Sequence, residues 1–284
     1  MTQGIVVGVD GTREAEAAAE WAAEEAVLRG TGVHLVHARE PWPEFVTPVA
    51  GRESEEPWAE ELLARTAERL RERHSGLSVT TRLLDSGPVP GLVAAGEAGD
   101  LLVLGSRALG SVAGYLVGSV GLTVAGAVDR PLVLVRASDG AAGDGAVTVG
   151  VDALRPADAV TEFAFEEAAR RRTGVNAVYA QQLPLYAGLG PAMVPDIRPA
   201  VAPEFERSLD DLLEPWRAKY PDVTARARVV IGSAGLELVQ AAGDAGLVVV
   251  GRRTRRSTLG AHIGSVAHAV LHHSRAPVAL VPHD

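Results

Sequence analysis

Ile5-Val-Val-Gly-Val-Asp10 returns as Val147-Thr-Val-Gly-Val-Asp152, and this pair decides how the rest of the chain is read. A short apolar, β-branched run that stops at an aspartate is a buried strand running into a turn. Its return means that the chain repeats itself. Gly32-Val-His-Leu-Val-His-Ala38 recurs as Gly174-Val-Asn-Ala-Val-Tyr-Ala180, and both pairs share an offset of 142 residues. Further on, Leu101-Leu-Val-Leu-Gly105 recurs as Leu247-Val-Val-Val-Gly251. Gly118-Ser119-Val120 recurs as Gly264-Ser265-Val266, and Pro131-Leu-Val-Leu-Val135 as Pro277-Val-Ala-Leu-Val281, all at an offset of 146. Two copies fit a fused pair of domains, because a solenoid needs at least about three repeats to bury its faces.

In each half, short apolar runs alternate with alanine-rich segments of helical period, the pattern of βα units that build a parallel sheet. In the first half the pattern predicts strands near 4–9, 33–38, 77–84, 101–105 and 131–135, and helices near 13–29, 58–74, 88–98 and 116–129. The second half repeats this with strands near 146–151, 175–180, 223–231, 247–251 and 277–281, and helices near 156–172, 204–219, 234–245 and 262–274. Runs such as 101–104 show no alternation, so their strands should be covered by helices on both faces. Pro41, Pro43, Pro48 and Pro57 in one copy, with Pro184, Pro191, Pro195, Pro199 and Pro203 in the other, read as surface excursions after the second strand. The small-residue run 137–145 reads as the joint, which gives domains at 1–138 and 146–284. The expected fold class is α/β: two tandem, doubly wound, Rossmann-like domains, each a five-stranded parallel sheet in the order 3-2-1-4-5.

A length of 284 residues fits about two domains. With 47% hydrophobic and 22% charged residues, the composition is that of a folded chain. A net charge of −9 argues against nucleic acid as a partner. The chain has no cysteine, which removes disulfides, thiol nucleophiles and thiolate metal sites. The first residues carry no signal-peptide pattern, and a cytoplasmic location is expected. Residues 108–128 are uncharged and long enough to span a bilayer, but five glycines dilute them and the corresponding stretch carries Arg255 and Arg256. No membrane association is expected.

In an open parallel sheet the binding crevice lies beyond the carboxyl ends of the strands, where the strand order reverses. That rule selects Asp10 and Asp152 after the first strand, Ala38 and Ala180 at the end of the second, and Gly105 and Gly251 at the end of the fourth. Helices starting near Gly118-Ser119 and Gly264-Ser265 offer free N–H groups and a positive dipole end to a phosphate.

Gly105-x2-Ala108-x9-Gly118-Ser119 and Gly251-x2-Thr254-x9-Gly264-Ser265 resemble the nucleotide loop of the universal stress protein family, whose ATP-binding members carry Gly-x2-Gly-x9-Gly-Ser/Thr. The likeness extends over nearly all of both halves and implies an adenine nucleotide alpha hydrolase-like fold. It further implies ATP as ligand, with or without Mg²⁺. By resemblance, Asp10 contacts the adenosine and Ala38 borders the adenine, while Gly105, Arg107, Ala108, Gly118, Ser119 and Val120 cradle the phosphates. The second copy offers Asp152, Ala180, Gly251, Arg253, Thr254, Gly264, Ser265 and Val266. Ala108 and Thr254 stand where the pattern has its second glycine, and a positive φ there would cost alanine on the order of 1 kcal/mol and threonine more. Arg252, Arg253, Arg255 and Arg256 make the second loop the stronger attractor of anions.

Other motifs have plainer readings. Asp10 also fits a turn or cap acceptor, and the Gly-Ser pairs also fit ordinary helix starts. His268 and His272 sit one helical turn apart and read as an exposed face without an acidic third metal ligand. Trp21 reads as core. There is no Gly-x-Ser-x-Gly, P-loop lysine or Gly-x-Gly-x-x-Gly after the first strand, and Lys219 is the only lysine. The resemblance implies an ATP-binding stress-response regulator that acts by nucleotide-dependent conformation or partner binding. The alternative, motivated by Ala108 and Thr254, is a scaffold or partner-interaction stress protein that takes no nucleotide. An enzyme with at most slow ATP hydrolysis comes third. The resemblance leaves homodimerisation and protein partners open.

Overall fold

In a computed structural model of the protein, the structure describes residues 4–39, 52–106, 118–137, 145–181, 198–254 and 263–284. These fall into two compact units, the first ending at residue 137 and the second beginning at residue 145.

The first unit runs β1 (Ile5–Gly8), α1 (Arg13–Arg29), β2 (Val33–Ala38), α2 (Arg52–Arg73), β3 (Val79–Leu84), α3 (Pro88–Glu97), β4 (Leu101–Ser106), α4 (Ser119–Ala127) and β5 (Leu132–Arg136). Its strands pair in the order β3-β2-β1-β4-β5, all parallel, with Ile5 opposite both Val33 and Leu101. The second unit runs β6 (Val147–Gly150), α5 (Asp158–Arg171), β7 (Val175–Gln181), α6 (Arg198–Lys219), β8 (Ala225–Ile231), α7 (Ala234–Ala241), β9 (Leu247–Arg253), α8 (Ser265–His273) and β10 (Val278–His283). Its order is β8-β7-β6-β9-β10, again all parallel, with Val147 opposite both Val175 and Leu247. Each unit is thus the doubly wound sheet in the expected order, with the reversal of direction beside its first strand.

Burial explains why the unalternated runs are strands. Ile5, Leu35, Leu101, Leu102 and Leu132 are fully buried in the first unit, and Val147, Leu247 and Val249 in the second. Each large side chain contributes roughly 1.5–3 kcal/mol of transfer free energy. Trp21, on α1, is 8% exposed and belongs to this core. The repeat also reaches an ionic pair. Glu25 on α1 and Glu167 on α5 are almost fully buried at the same offset of 142, and each is ion-paired on its own helix, Glu25 with Arg29 and Glu167 with Arg170 and Arg171.

Two helices begin earlier than the sequence pattern predicts. α2 starts at Arg52 and α6 at Arg198, so Pro57, Pro199 and Pro203 lie inside helices and not in surface excursions. A proline near a helix start loses little, because the first four N–H groups of a helix have no intrahelical acceptor in any case. Pro57 and Pro203, each the sixth residue of its helix, lie just past that free turn, and the helix absorbs one missing bond. The remaining prolines of the two excursions, and most of the expected joint, lie outside the described residues.

Candidate functional site

The carboxyl ends of β1, β2 and β4 in the first unit surround a cleft of about 270 Å³. Asp10, Ala38 and Gly105 line it, as the strand-end rule predicts, and Gly118, Ser119 and Val120 close its far side. The floor is apolar, made by Val9, Val36, Leu92 and Leu104. Arg107 and Ala108 lie outside the described residues.

The turn after β1 is built by side chain and backbone together. Asp10 Oδ1 accepts the Thr12 N–H at 3.0 Å and the Thr12 hydroxyl at 2.5 Å. Gly11 has φ +79°, which a side chain would strain. Thr12 in turn caps α1, its Oγ1 accepting the Ala15 N–H at 3.3 Å. Asp10 is therefore a turn acceptor that also presents an exposed carboxylate to the cleft, and both readings of the residue describe it. Thr12 and His37 also line the cleft, and sequence reasoning missed them. The signal for Thr12 was Asp-Gly-Thr, an aspartate two residues before a helix cap. His37 Nδ1 lies 2.7 Å from the Val9 carbonyl and donates to it, which leaves Nε2 as the acceptor of the neutral ring. Trp58 on α2 stands edge-on to this ring with centroids 5.6 Å apart, and it is 45% exposed.

At the far side of the cleft, α4 starts after Gly118, and among the described residues no side chain caps it. The N–H groups of its first turn therefore face outward with the positive end of the helix dipole behind them. Gly118 has φ −56° and ψ 152°, and a Cβ built on it meets nothing within 4 Å among the described residues. Among the described residues, neither backbone conformation nor local packing demands glycine there. Gly105 differs, since its Cβ would stand 2.5 Å from the Glu14 carbonyl carbon and 2.6 Å from the Ala15 nitrogen. Its bare backbone lets the first turn of α1 sit against β4.

The second unit places the corresponding residues differently. Asp152 Oδ1 accepts the N–H groups of Leu154 and Arg155 at 3.1 and 3.2 Å, and its Oδ2 is ion-paired with Arg155 Nε at 3.2 Å. Thr254 donates its N–H to the His283 carbonyl at 2.7 Å, and its hydroxyl lies 3.1 Å from the same oxygen. It thereby continues the β9–β10 ladder instead of opening a glycine loop. Arg253 is exposed at the end of β9 and Arg252 is buried, while Arg255 and Arg256 lie outside the described residues. Ala180 lies within β7, and Gly264-Ser265-Val266 begin α8, with Gly264 at φ +81°.

The histidines of α8 form no metal centre: among the described residues no group of three or more histidine, cysteine, aspartate or glutamate side chains could hold a metal ion. His268 and His272 have ring centroids 4.2 Å apart. Partial burial, then the charges of His272 and His273, hold the His268 imidazole below its ordinary value of 6.5. Folding thus favours the neutral ring. Its contribution is present above about pH 6.5 and is lost as the pH falls through the depressed folded value. His268→Gln should therefore flatten the fall in melting temperature between roughly pH 7 and pH 5. Thermal denaturation of both proteins across that range checks this, and parallel curves would contradict it.

A five-stranded parallel sheet whose strand order reverses beside its first strand defines a doubly wound α/β domain, and this chain contains two such units. A sequence model of the universal stress protein family matches residues 1–136 and again 145–282, and the chain belongs to that family. A universal stress protein of Mycobacterium tuberculosis is 34% identical over 286 residues, covering 97% of this chain and 95% of the relative. Among solved structures, a universal stress protein from Archaeoglobus fulgidus matches 100% of both chains with a TM-score of 0.75 at 14% identity, a likeness of fold. Another universal stress protein from Archaeoglobus fulgidus, solved in complex with dAMP, is 28% identical over 46% of this chain and 96% of its own, with a TM-score of 0.37. Among the described residues, no helix is long and apolar enough to cross a membrane.

Proposed function

We propose that this chain is an adenine-nucleotide-binding regulator whose first-unit cleft takes ATP, with or without Mg²⁺, and whose output is a change of conformation or of partner. The observation that carries the reading is the pairing, within one cleft, of an exposed carboxylate at Asp10 with the start of α4 at Gly118-Ser119, which no described side chain caps. A nucleotide has the matching polarity, since its ribose hydroxyls suit an acceptor and its phosphates suit a helix amino terminus. The apolar floor between them suits a base, and about 270 Å³ lies near the lower end of small-molecule pockets, roughly 300 Å³. Glycine at position 118, where among the described residues neither conformation nor packing requires it, fits close approach of a ligand to the backbone.

Binding, not turnover, is the proposed activity. Among the described lining residues Asp10 is the only carboxylate and there is no lysine, whereas phosphoryl transfer calls for an acid or metal held against the phosphates. Titration of the purified chain with ATP and Mg²⁺ in a calorimeter tests the proposal. Saturable heat, together with a higher melting temperature, is expected. A chain that shows neither at cellular ATP concentrations would support the scaffold reading in its place.

A further inference from the structure

We infer that the Ser106 hydroxyl is a further ligand contact of the first unit, donating a hydrogen bond to a phosphate oxygen held at the start of α4. This rests on the reading of the first cleft given above and adds to it a residue that neither the strand-end rule nor the family resemblance selects.

The strand sets where this side chain points. A Cβ on Gly8 would meet Leu104 Cδ2 at 2.5 Å and Leu92 Cδ2, on α3, at 3.0 Å, so Leu104 faces α3, and it forms part of the cleft floor. A Cβ on Gly105 would point the opposite way, into the first turn of α1. Side chains alternate along a strand, so Ser106 returns to the face of Leu104, roughly 6–7 Å further toward the carboxyl edge of the sheet. α4 packs against β4 and α3, and its start, from Gly118 to Gly121, lines the cleft at that edge. The serine therefore projects toward the start of α4, whose first N–H groups no described side chain caps.

Burial and bonding single this hydroxyl out. Ser106 is 2% exposed, and among the described residues its Oγ has no hydrogen-bond partner. A buried hydroxyl without a partner destabilises a fold in a way that an apolar group does not. The strand itself does not call for serine. Leu102 and Leu104 fill the preceding positions on the same face, and at the offset of 146 the second unit carries Arg252. A donor kept in this way beside a helix amino terminus matches an anion, because a phosphate oxygen there can accept from the hydroxyl as well as from the backbone. The hydroxyl is held in place before the ligand arrives, so binding gains the bond without ordering a side chain.

Ser106→Ala separates this from a structural role, since the two predict opposite changes in stability. Without ligand, the melting temperature of the variant should be no lower than that of the unsubstituted chain, because only an unpartnered hydroxyl is removed. In calorimetric titration with ATP and Mg²⁺ the variant should bind about ten to a hundred times more weakly, the effect of losing one hydrogen bond to a charged group. Its affinity for adenosine, which has no phosphate, should be unchanged. A lower melting temperature without ligand would mean that the hydroxyl serves the fold, and unchanged ATP affinity that it does not meet the ligand. An equal loss for adenosine would place it against the nucleoside. Each of these results overturns the inference and leaves nucleotide binding intact. No binding of ATP to the unsubstituted chain would instead defeat the reading of the first cleft, and this inference with it.

Discussion

Gly105→Val is expected to destabilise the first unit by more than about 3 kcal/mol, the upper part of the range for overpacking a tight interior. The reason is the nature of the atoms it meets. A Cβ at Gly105 would stand 2.5–2.7 Å from the carbonyl group of Glu14 and the nitrogen of Ala15, all backbone. No rotamer change can relieve such contacts, so α1 would have to lift from β4 and expose the alanines it buries there. Gly251→Val provides the comparison. Its Cβ would meet the far end of the His283 side chain at 2.7 Å and a methyl of Val160 at 3.1 Å, neighbours that can swing or shift. Urea denaturation of the two variants should show a large drop in midpoint for the first and a much smaller one for the second. Equal drops would mean that the close approach of α1 to β4 has no special weight.

The second large effect is on binding and leaves the fold alone. In Gly118→Leu the new side chain meets none of the described residues at its Cβ and has an allowed backbone, so the melting temperature should stay within a few degrees of the unsubstituted chain. The same side chain would project beside the first N–H groups of α4, where a phosphate must come within about 3 Å to accept their hydrogen bonds. Losing two charge-assisted bonds at roughly 1.5–3 kcal/mol each should weaken ATP binding by at least about a hundredfold. Calorimetric titration of this variant is the check. Affinity unchanged in a fully folded protein would place the phosphates elsewhere.

The sheets were legible because the sequence carries their physics locally. Leu101-Leu-Val-Leu104 is apolar at every position, which only a strand covered on both faces can bury, and the duplicated glycine and aspartate marked where strands end. Helix starts were less legible. Prolines at 57, 199 and 203 read as punctuation, yet a helix tolerates them near its first turn, and no local pattern distinguishes the two situations. In the site, the strand-end rule reached Asp10, Ala38 and Gly105. His37 and Trp58 escaped because their meeting depends on how α2 packs over β2. The difference between the two units was hidden most completely. Gly118-Ser119-Val120 and Gly264-Ser265-Val266 are identical in sequence, and only their φ angles, −56° and +81°, separate them.

The strand order has a consequence for how the chain comes off the ribosome. β1 is flanked by β2 and β4, and its second neighbour is encoded 96 residues downstream, from Ile5 to Leu101. At about 5–20 residues per second, translation leaves that edge of β1 without its partner for roughly 5–20 s. Such distant pairings also make this topology slow to assemble once the whole sequence is available. The hazard for a duplicated chain is exchange, in which β6 or β9, with nearly the same apolar runs, docks on the waiting edge. Vectorial synthesis works against this. β4 emerges well before either copy, so the amino-terminal sheet can claim its own strands before its duplicate exists.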